Sequence, residues 1–209
     1  MNEIKDDSKN WQQGSLFERP PKFYLFFDTE TTGLPKNYNA SYEDLDNWPR
    51  VVQLAWVLAD ENKNIIEEKT FIIKPDGFTI PAASSAVHGI TDAKANEFGI
   101  PVHEALAQFN ASLQNNNVTL VAHNISFDIS VMAAEFLRAS LDTNFLNLTR
   151  ICTMKSSIAF CNLPNRKFPK LAELYRQLFN EDFANAHDAL ADVLACSRCF
   201  FEMKIRNII

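Results

Sequence analysis

Residues 23–34 read FYLFFDTETTGL, and the fold turns on this stretch. Five consecutive apolar residues, Phe23 through Phe27, lead directly into Asp28 and Glu30. A short, aromatic-rich run of this kind suits a strand buried on both faces. Side chains alternate along a strand, so Asp28 and Glu30 project from one side of the sheet. Like charges held this close repel unless a cation or a shared proton lies between them. Thr31, Thr32 and Gly33 then turn the chain into Leu34. The stretch reads as half of a metal site, and the remaining sequence should supply the other half.

Working outward, residues 35–49 form a polar connection carrying Asn37, Asn39, Asp44, Asp46 and Asn47. It is longer than most hairpin loops, which makes it a candidate lid or substrate-edge loop. Residues 51–58 (VVQLAWVL) and 65–73 (IIEEKTFII) read as second and third strands, with a tight turn at Asp60, Glu61 and Asn62. These first three strands predict an antiparallel meander. Short helical pieces are expected at 82–87 and 92–97, on either side of His88-Gly89-Ile90-Thr91. Apolar spacing at Val102, Ala105, Leu106, Phe109 and Leu113 predicts a helix over 101–113. Residues 118–122 (VTLVA) predict a fourth strand. A helix begins at Asp128, with Ile129, Met132, Ala133, Phe136 and Leu137 on one face. A weaker fifth strand is expected at 145–151, and helices at 153–160, 171–179 and 188–205. Strands first, then alternating strands and helices, indicate an α/β fold with a mixed sheet covered on both faces.

Composition narrows the function. At 209 residues, 46% hydrophobic and 22% charged, the chain suits one globular domain with a substantial core. The formal net charge of −6 argues against coating nucleic acid through a broad basic surface, but not against an enzyme that meets phosphates through cations. No apolar run approaches the roughly 20 residues that span a bilayer. The first fifteen residues lack the charged-then-apolar pattern of a secretory signal. The expectation is a cytoplasmic protein with no membrane partner. Cys152, Cys161, Cys196 and Cys199 form no disulfide framework; Cys196-x-x-Cys199 lies in a helical stretch without a second pair, so these are read as core or surface thiols, not zinc ligands. Residues 1–20 are polar, aperiodic and end in Pro20, followed by Pro21. They read as a flexible arm ahead of a domain over 21–209.

The other half of the site comes from two further acids. Asp128 follows the fourth strand and the polar turn at His123, Asn124, Ile125 and Ser126. Asp192 lies within Ala-Leu-Ala-Asp-Val-Leu-Ala, on a face that is otherwise apolar and buried. An unpaired buried carboxylate is costly, and a metal is its strongest partner. Taken alone, Asp128 is equally a helix-terminal charge and His187 a loop histidine. His187 precedes Asp192 by five residues, which does not stack on a helix, but it reaches the same place if the helix begins near Asp188.

Asp28-Thr-Glu30, then His123-Asn124-x-x-Phe127-Asp128, then His187-x4-Asp192 resemble the three motifs of the DEDD-type 3′→5′ exonucleases in their histidine-containing branch. This is the family of the DNA polymerase III proofreading subunit and RNase T. The resemblance covers residues 23–203. The form Asp28-Thr-Glu30-Thr-Thr-Gly33-Leu34 and the segment His88-Gly89-Ile90-Thr91 are similar to the proofreading type.

The resemblance implies a ribonuclease-H-like five-stranded sheet and two divalent cations, Mg²⁺ or Mn²⁺. Two such ions, about 3.5–4 Å apart, neutralise the phosphoryl oxygens, activate water and stabilise the leaving oxygen. By analogy Asp28 bridges both ions, Glu30 and Asp192 complete the site of the attacking water, and Asp128 supports the second ion. His187 is the implied general base, since imidazole titrates near neutrality. Thr31, Thr32, Gly33 and Leu34 would hold the terminal nucleotide, with His88 and Phe127 lining the same pocket. Asn124 either positions the strand or caps its turn. Arg166 and Lys170 either meet phosphates or are simply solvated. The expected substrate is a single-stranded or frayed 3′ end, DNA before RNA. The alternative is RNA 3′-end trimming of the RNase T or oligoribonuclease type, although no residue visibly reads a 2′-hydroxyl. Both a free-standing repair or turnover enzyme and a polymerase partner stay open. In the arm, Gln13-Gly14-Ser15-Leu16-Phe17 resembles the peptide that bacterial proteins insert into the sliding clamp, with Gln13, Leu16 and Phe17 as anchors; the competing explanation is a chance pentapeptide. A non-catalytic tethering module is the remaining alternative.

Overall fold

The computed structural model describes residues 21–114 and 117–209. The arm, and with it Gln13, Leu16 and Phe17, lies outside the described residues. A five-stranded mixed sheet forms the centre, in the order β3-β2-β1-β4-β5. Strands β1 (Phe23–Thr31), β2 (Val51–Asp60) and β3 (Ile65–Ile72) form the antiparallel meander expected from the sequence. Strand β4 (Val118–Ala122) runs parallel to β1, and β5 (Thr149–Cys152) parallel to β4.

The period of two along β1 builds the core. Leu25 and Phe27 face one side, with Leu54, Trp56 and Leu58 of β2. Helices α3 (Val102–Ser112) and α4 (Ile125–Arg138) cover this side through Leu106, Phe109, Met132 and Phe136. Tyr24 and Phe26 face the other side with Ala55 and Val57, against Val193, Cys196, Phe200 and Phe201 of α8 (Ala189–Ile205). Helix α8 also packs on α7 (Leu171–Phe179) through Ala195, Cys199 and Met203. It is sandwiched between layers, which is why it is apolar nearly all round. The short helices α1 (Ala82–His88) and α2 (Asp92–Phe98) sit beyond the open end of β1 and β2.

Three local expectations need correction. The fifth strand is confined to Thr149–Cys152; its first part is a 3-10 turn, Asn144–Asn147, that buries Phe145 in the core. The helix expected over 153–160 is two single turns, α5 (Thr153–Ser156) and α6 (Ile158–Cys161), joined at Ser157. Helix α4 starts at Ile125, one turn before Asp128, because Asn124 takes the left-handed backbone (φ +70°) that enters it. The cysteines are unpaired, and Cys161, Cys196 and Cys199 are buried as core residues. Among the described residues no helix is long and apolar enough to cross a membrane.

Candidate active site

The site forms where β1 outruns β4. Parallel pairing of β1 with β4 ends at Phe26 opposite Val121, while pairing with β2 continues past Asp28 opposite Ala55. The first turn of α4 enters the gap. There the Asp128 carboxylate accepts hydrogen bonds from the Thr29 amide (3.1 Å) and the Thr29 hydroxyl (2.9 Å). The β1 backbone that β4 leaves unpaired is thereby satisfied by a carboxylate.

Strand alternation sorts the remaining acids. Thr29 faces α4, so Asp28 and Glu30 face α8 and its Asp192. The head of α8 is docked by the residue that faces Glu30 across the ladder, Gln53. Gln53 donates to Asp188 Oδ2 (3.2 Å) and accepts from the Ala189 amide (3.2 Å). Asp188 caps the helix by accepting from the Ala191 amide. His187 therefore stands on the entering loop, exposed, with φ +70°. Its amide donates to Asp192 Oδ2 (3.3 Å). Ligand atoms of Glu30, His187 and Asp192 all lie within 4.8 Å of one another. Asp28 and Asp128 stand outside this triple but act on it through charge.

The electrostatics carry the mark of one shared site. Burial, then the charges of Asp128, Asp192, Glu30 and Asp188, push the Asp28 carboxyl well above the usual carboxylate range. Burial and the neighbouring aspartates raise Glu30 to about 8. Asp128 rises to about 7 by burial, against the lowering effect of its bonds from Thr29. Asp192 rises to about 6 by burial, offset by the His187 amide and its charge. The Asp192 Oδ1 atom is buried without a hydrogen-bond partner among the described residues. Four crowded carboxylates with one orphaned oxygen are the donor set of a hard divalent cation, so these residues fit such an ion.

A cavity of about 370 Å³ opens beside the acids, lined by Thr29, Glu30, Thr31, Gly33, Leu34, Ala83, Ser84, Val87, His88 and Phe127. Gly33 permits its wall: at φ +153° the backbone takes a conformation that side chains rarely adopt. The Leu34 side chain is 73% exposed, an apolar surface presented to whatever enters. Of the residues assigned to substrate from the sequence, Thr31, Gly33, Leu34, His88 and Phe127 line the cavity. Thr32 does not; it braces the wall, bonded on one side to Arg50 (Thr32 amide to Arg50 carbonyl 2.9 Å, Arg50 amide to Thr32 Oγ1 3.0 Å) and on the other to the Ser84 hydroxyl (2.8 Å). Asn124 lines a neighbouring trough, and its side chain makes no capping bond, so the capping alternative is corrected. Sequence reasoning missed Thr29, Gln53, Ser84 and Asp188. Only Asp188 had a local signal, a capping residue before an apolar run.

A family model described as "Exonuclease" (RNase T) matches residues 25–200. The chain belongs to the RNase T exonuclease family. Within that family, a DNA polymerase III subunit epsilon-like protein of Rhodobacter capsulatus is 28% identical over 185 residues, covering 86% of this chain and 23% of the relative. A PolC-type DNA polymerase III of Ureaplasma parvum is 27% identical over 82% of this chain and 11% of its own length. The chain thus spans less than a quarter of these relatives. E. coli exonuclease I, solved in complex with a dT13 oligonucleotide, shares the fold: TM-score 0.73 at 23% identity, over 89% of this chain and 42% of that one. A zinc-bound form of that exonuclease with single-stranded DNA is also known. The ribonuclease-H-like α/β sheet expected for the family is the fold observed.

Proposed function

We propose that this domain is a 3′→5′ exonuclease that removes nucleotides from the 3′ end of DNA. The observation that carries the proposal is the convergence of Asp28, Glu30, Asp128, Asp192 and His187 beside a cavity the size of one nucleotide. The relatives named for DNA polymerase III support DNA as the substrate, and a role in proofreading, repair or turnover within the cytoplasm.

Two divalent cations, Mg²⁺ or Mn²⁺, would be held by Asp28, Glu30, Asp128 and Asp192, and would neutralise the phosphoryl oxygens and acidify a water. The chain's own residues do the rest. His187, exposed at the rim and tied through its amide to Asp192, takes the proton from the attacking water. The wall at Thr31, Gly33 and Leu34 holds the terminal nucleotide, with Val87 and Phe127 as apolar surfaces for its base. His88 Nδ1 accepts from the Ile90 amide (3.2 Å), so Nε2 carries the proton; it is buried beside the Thr31 backbone and, among the described residues, has no hydrogen bond of good geometry. It is a donor for an oxygen of the nucleotide. Burial lowers the His88 pKa, against the raising effect of the Thr31 backbone beside the ring.

The test is stepwise shortening of 5′-labelled DNA and RNA oligomers of matched sequence, with Mg²⁺ or Mn²⁺. DNA should be degraded from its 3′ end, and Asp28→Ala and His187→Ala should each lower the rate by about 10²–10⁴-fold. Preference for RNA would move the assignment to 3′-end trimming; no shortening of either would remove it. We also propose the Gln13–Phe17 peptide as a sliding-clamp anchor. Deleting residues 1–19 should weaken capture by purified clamp and leave the hydrolysis rate as it was.

A further inference from the structure

We infer that Gln53 is a positioning residue of the reaction: from β2 it pins the head of α8, and so places His187 beside Glu30 and Asp192. The inference rests on the exonuclease proposal above, in which His187 takes the proton from water. Gln53 is the one polar residue within residues 51–59 of β2, and it is 5% exposed. Ala55, Val57 and Ala59, on the same face of the strand, are apolar and packed under α8. A buried amide is costly unless its groups are bonded, and an apolar side chain would suit this sheet better. The amide is therefore there for what it holds.

Both ends of the amide are engaged. Only the Gln53 carbonyl oxygen can accept from the Ala189 amide (3.2 Å), which fixes the orientation of the side chain. Nε2 then donates to Asp188 Oδ2 (3.2 Å) and to Thr70 Oγ1 of β3 (3.3 Å). Asp188 divides its oxygens, presenting Oδ2 to Gln53 and Oδ1 to the Ala191 amide (3.1 Å) in the first turn of the helix. Among the described residues, the bonds of Gln53 to Asp188 and Ala189 are the hydrogen bonds that tie residues 183–192 to the sheet.

A cavity of about 290 Å³, lined by Gln53, Thr70, Phe98 and Asp188 among others, borders this latch, so open space lies beside the head of α8 on that side. Val193, Cys196 and Phe200 seat the helix further along. His187, just ahead of Asp188, has φ +70°, which a non-glycine residue keeps only where its surroundings hold it. The bond from its amide to Asp192, and that from the Asp188 amide to the Asn185 carbonyl (3.0 Å), lie within the same segment. Gln53 thus sets the registry between that segment and the strand bearing Glu30, its partner across the ladder. A base displaced by about 1 Å loses about 10²-fold in rate. Asp28 and Glu30 on β1 and Asp128 on α4 do not depend on the latch for their places.

The test measures kcat and KM on a dT12 oligonucleotide with Mg²⁺, Mn²⁺ affinity by calorimetry, and hydrogen exchange of the Ala189 amide in the metal-free protein. Gln53→Leu keeps the size of the side chain and removes its bonds. Its kcat should fall by about 10²-fold, with KM and Mn²⁺ affinity within about twofold of wild type, and Ala189 should exchange about tenfold faster. Gln53→Glu sets an acceptor against Asp188, and Asp188→Asn sets a donor against Gln53; each alone should lower kcat by about tenfold or more. Together they restore the pair with donor and acceptor exchanged, and Asn still caps the helix. Gln53→Glu/Asp188→Asn should therefore recover about tenfold over either single variant. A side chain that only fills the sheet gives no such recovery. Where Gln53→Leu does not fold, the exchanged pair decides. Wild-type kcat in Gln53→Leu, a loss in KM or Mn²⁺ affinity in place of kcat, or a double variant no better than its singles overturns the inference. A wild type that shortens neither DNA nor RNA overturns the exonuclease proposal instead, and Ala189 exchange then decides the latch.

Discussion

The chain buries acids in two places, and they differ in how they are satisfied. Glu135 on α4 is 1% exposed, yet its carboxylate accepts from Arg50 Nε (2.8 Å), Arg138 Nη1 (3.0 Å) and the Val51 amide (3.1 Å). Arg50 in turn stacks on Phe78 and holds the Thr32 turn. At the end of β1, where Asp128 lies two turns before Glu135 on the same helix, the cluster of Asp28, Glu30, Asp128 and Asp192 has no arginine or lysine ion pair among the described residues. A buried acid that is fully paired braces a structure. Buried acids that are left to repel one another are held for a cation that arrives later.

Breaking the cluster should have the largest effect, and on activity alone. Asp192→Asn should lower exonuclease turnover by about 10³-fold or more, within the range of catalytic-group losses, while leaving the metal-free melting temperature unchanged or higher. A large fall in melting temperature would mean that Asp192 is a structural partner like Glu135. The reverse is expected for Glu135→Ala. It strands two partly buried arginines, and urea unfolding should show a loss of about 3 kcal/mol. If stability holds and only turnover falls, the contrast between the two regions is wrong.

The pH dependence follows from the raised carboxyls. In the metal-free protein these groups keep protons that the unfolded chain releases above about pH 4. The folded state then binds more protons, so stability declines as pH rises from there through about 6 for Asp192, 7 for Asp128 and 8 for Glu30. Melting temperatures in EDTA should be lower at pH 8.5 than at pH 5.5, and Mn²⁺ should raise them most at the higher pH. A metal-free protein that gains stability with rising pH would show that the acids are already compensated. The smallest effect is expected at the Thr29 hydroxyl, which donates to Asp128. Thr29→Val removes a donor from Asp128 and keeps its shape and the amide bond; about 1 kcal/mol of stability and a several-fold drop in turnover should follow.

The residues 23–34 were legible as a strand ending in paired acids because period-two alternation is a local property. The meander was legible for the same reason, helped by its turn at Asp60. The short fifth strand was not, since Phe145 reads as a strand residue until the core that buries it is known. Asp128 and Asp192 were legible only in combination, and His187 only once a helix start at Asp188 was assumed; the Asp188 cap supplies that start.

By itself, then, the sequence determined the meander and most of the element order, because strand period and helix period are written along the chain, and through the resemblance of its three motifs it pointed to the five residues of the candidate site. The tertiary structure alone decided how the acids are brought together. Strand β4 ends before β1 does, which admits Asp128 from one face while Asp192 arrives from the other. It also decided that Glu135 is a brace and not a ligand, and that Gln53 docks the helix bearing Asp192. These are contacts between residues far apart in the chain. No local pattern encodes them, because they depend on where the sheet stops and which faces are left open.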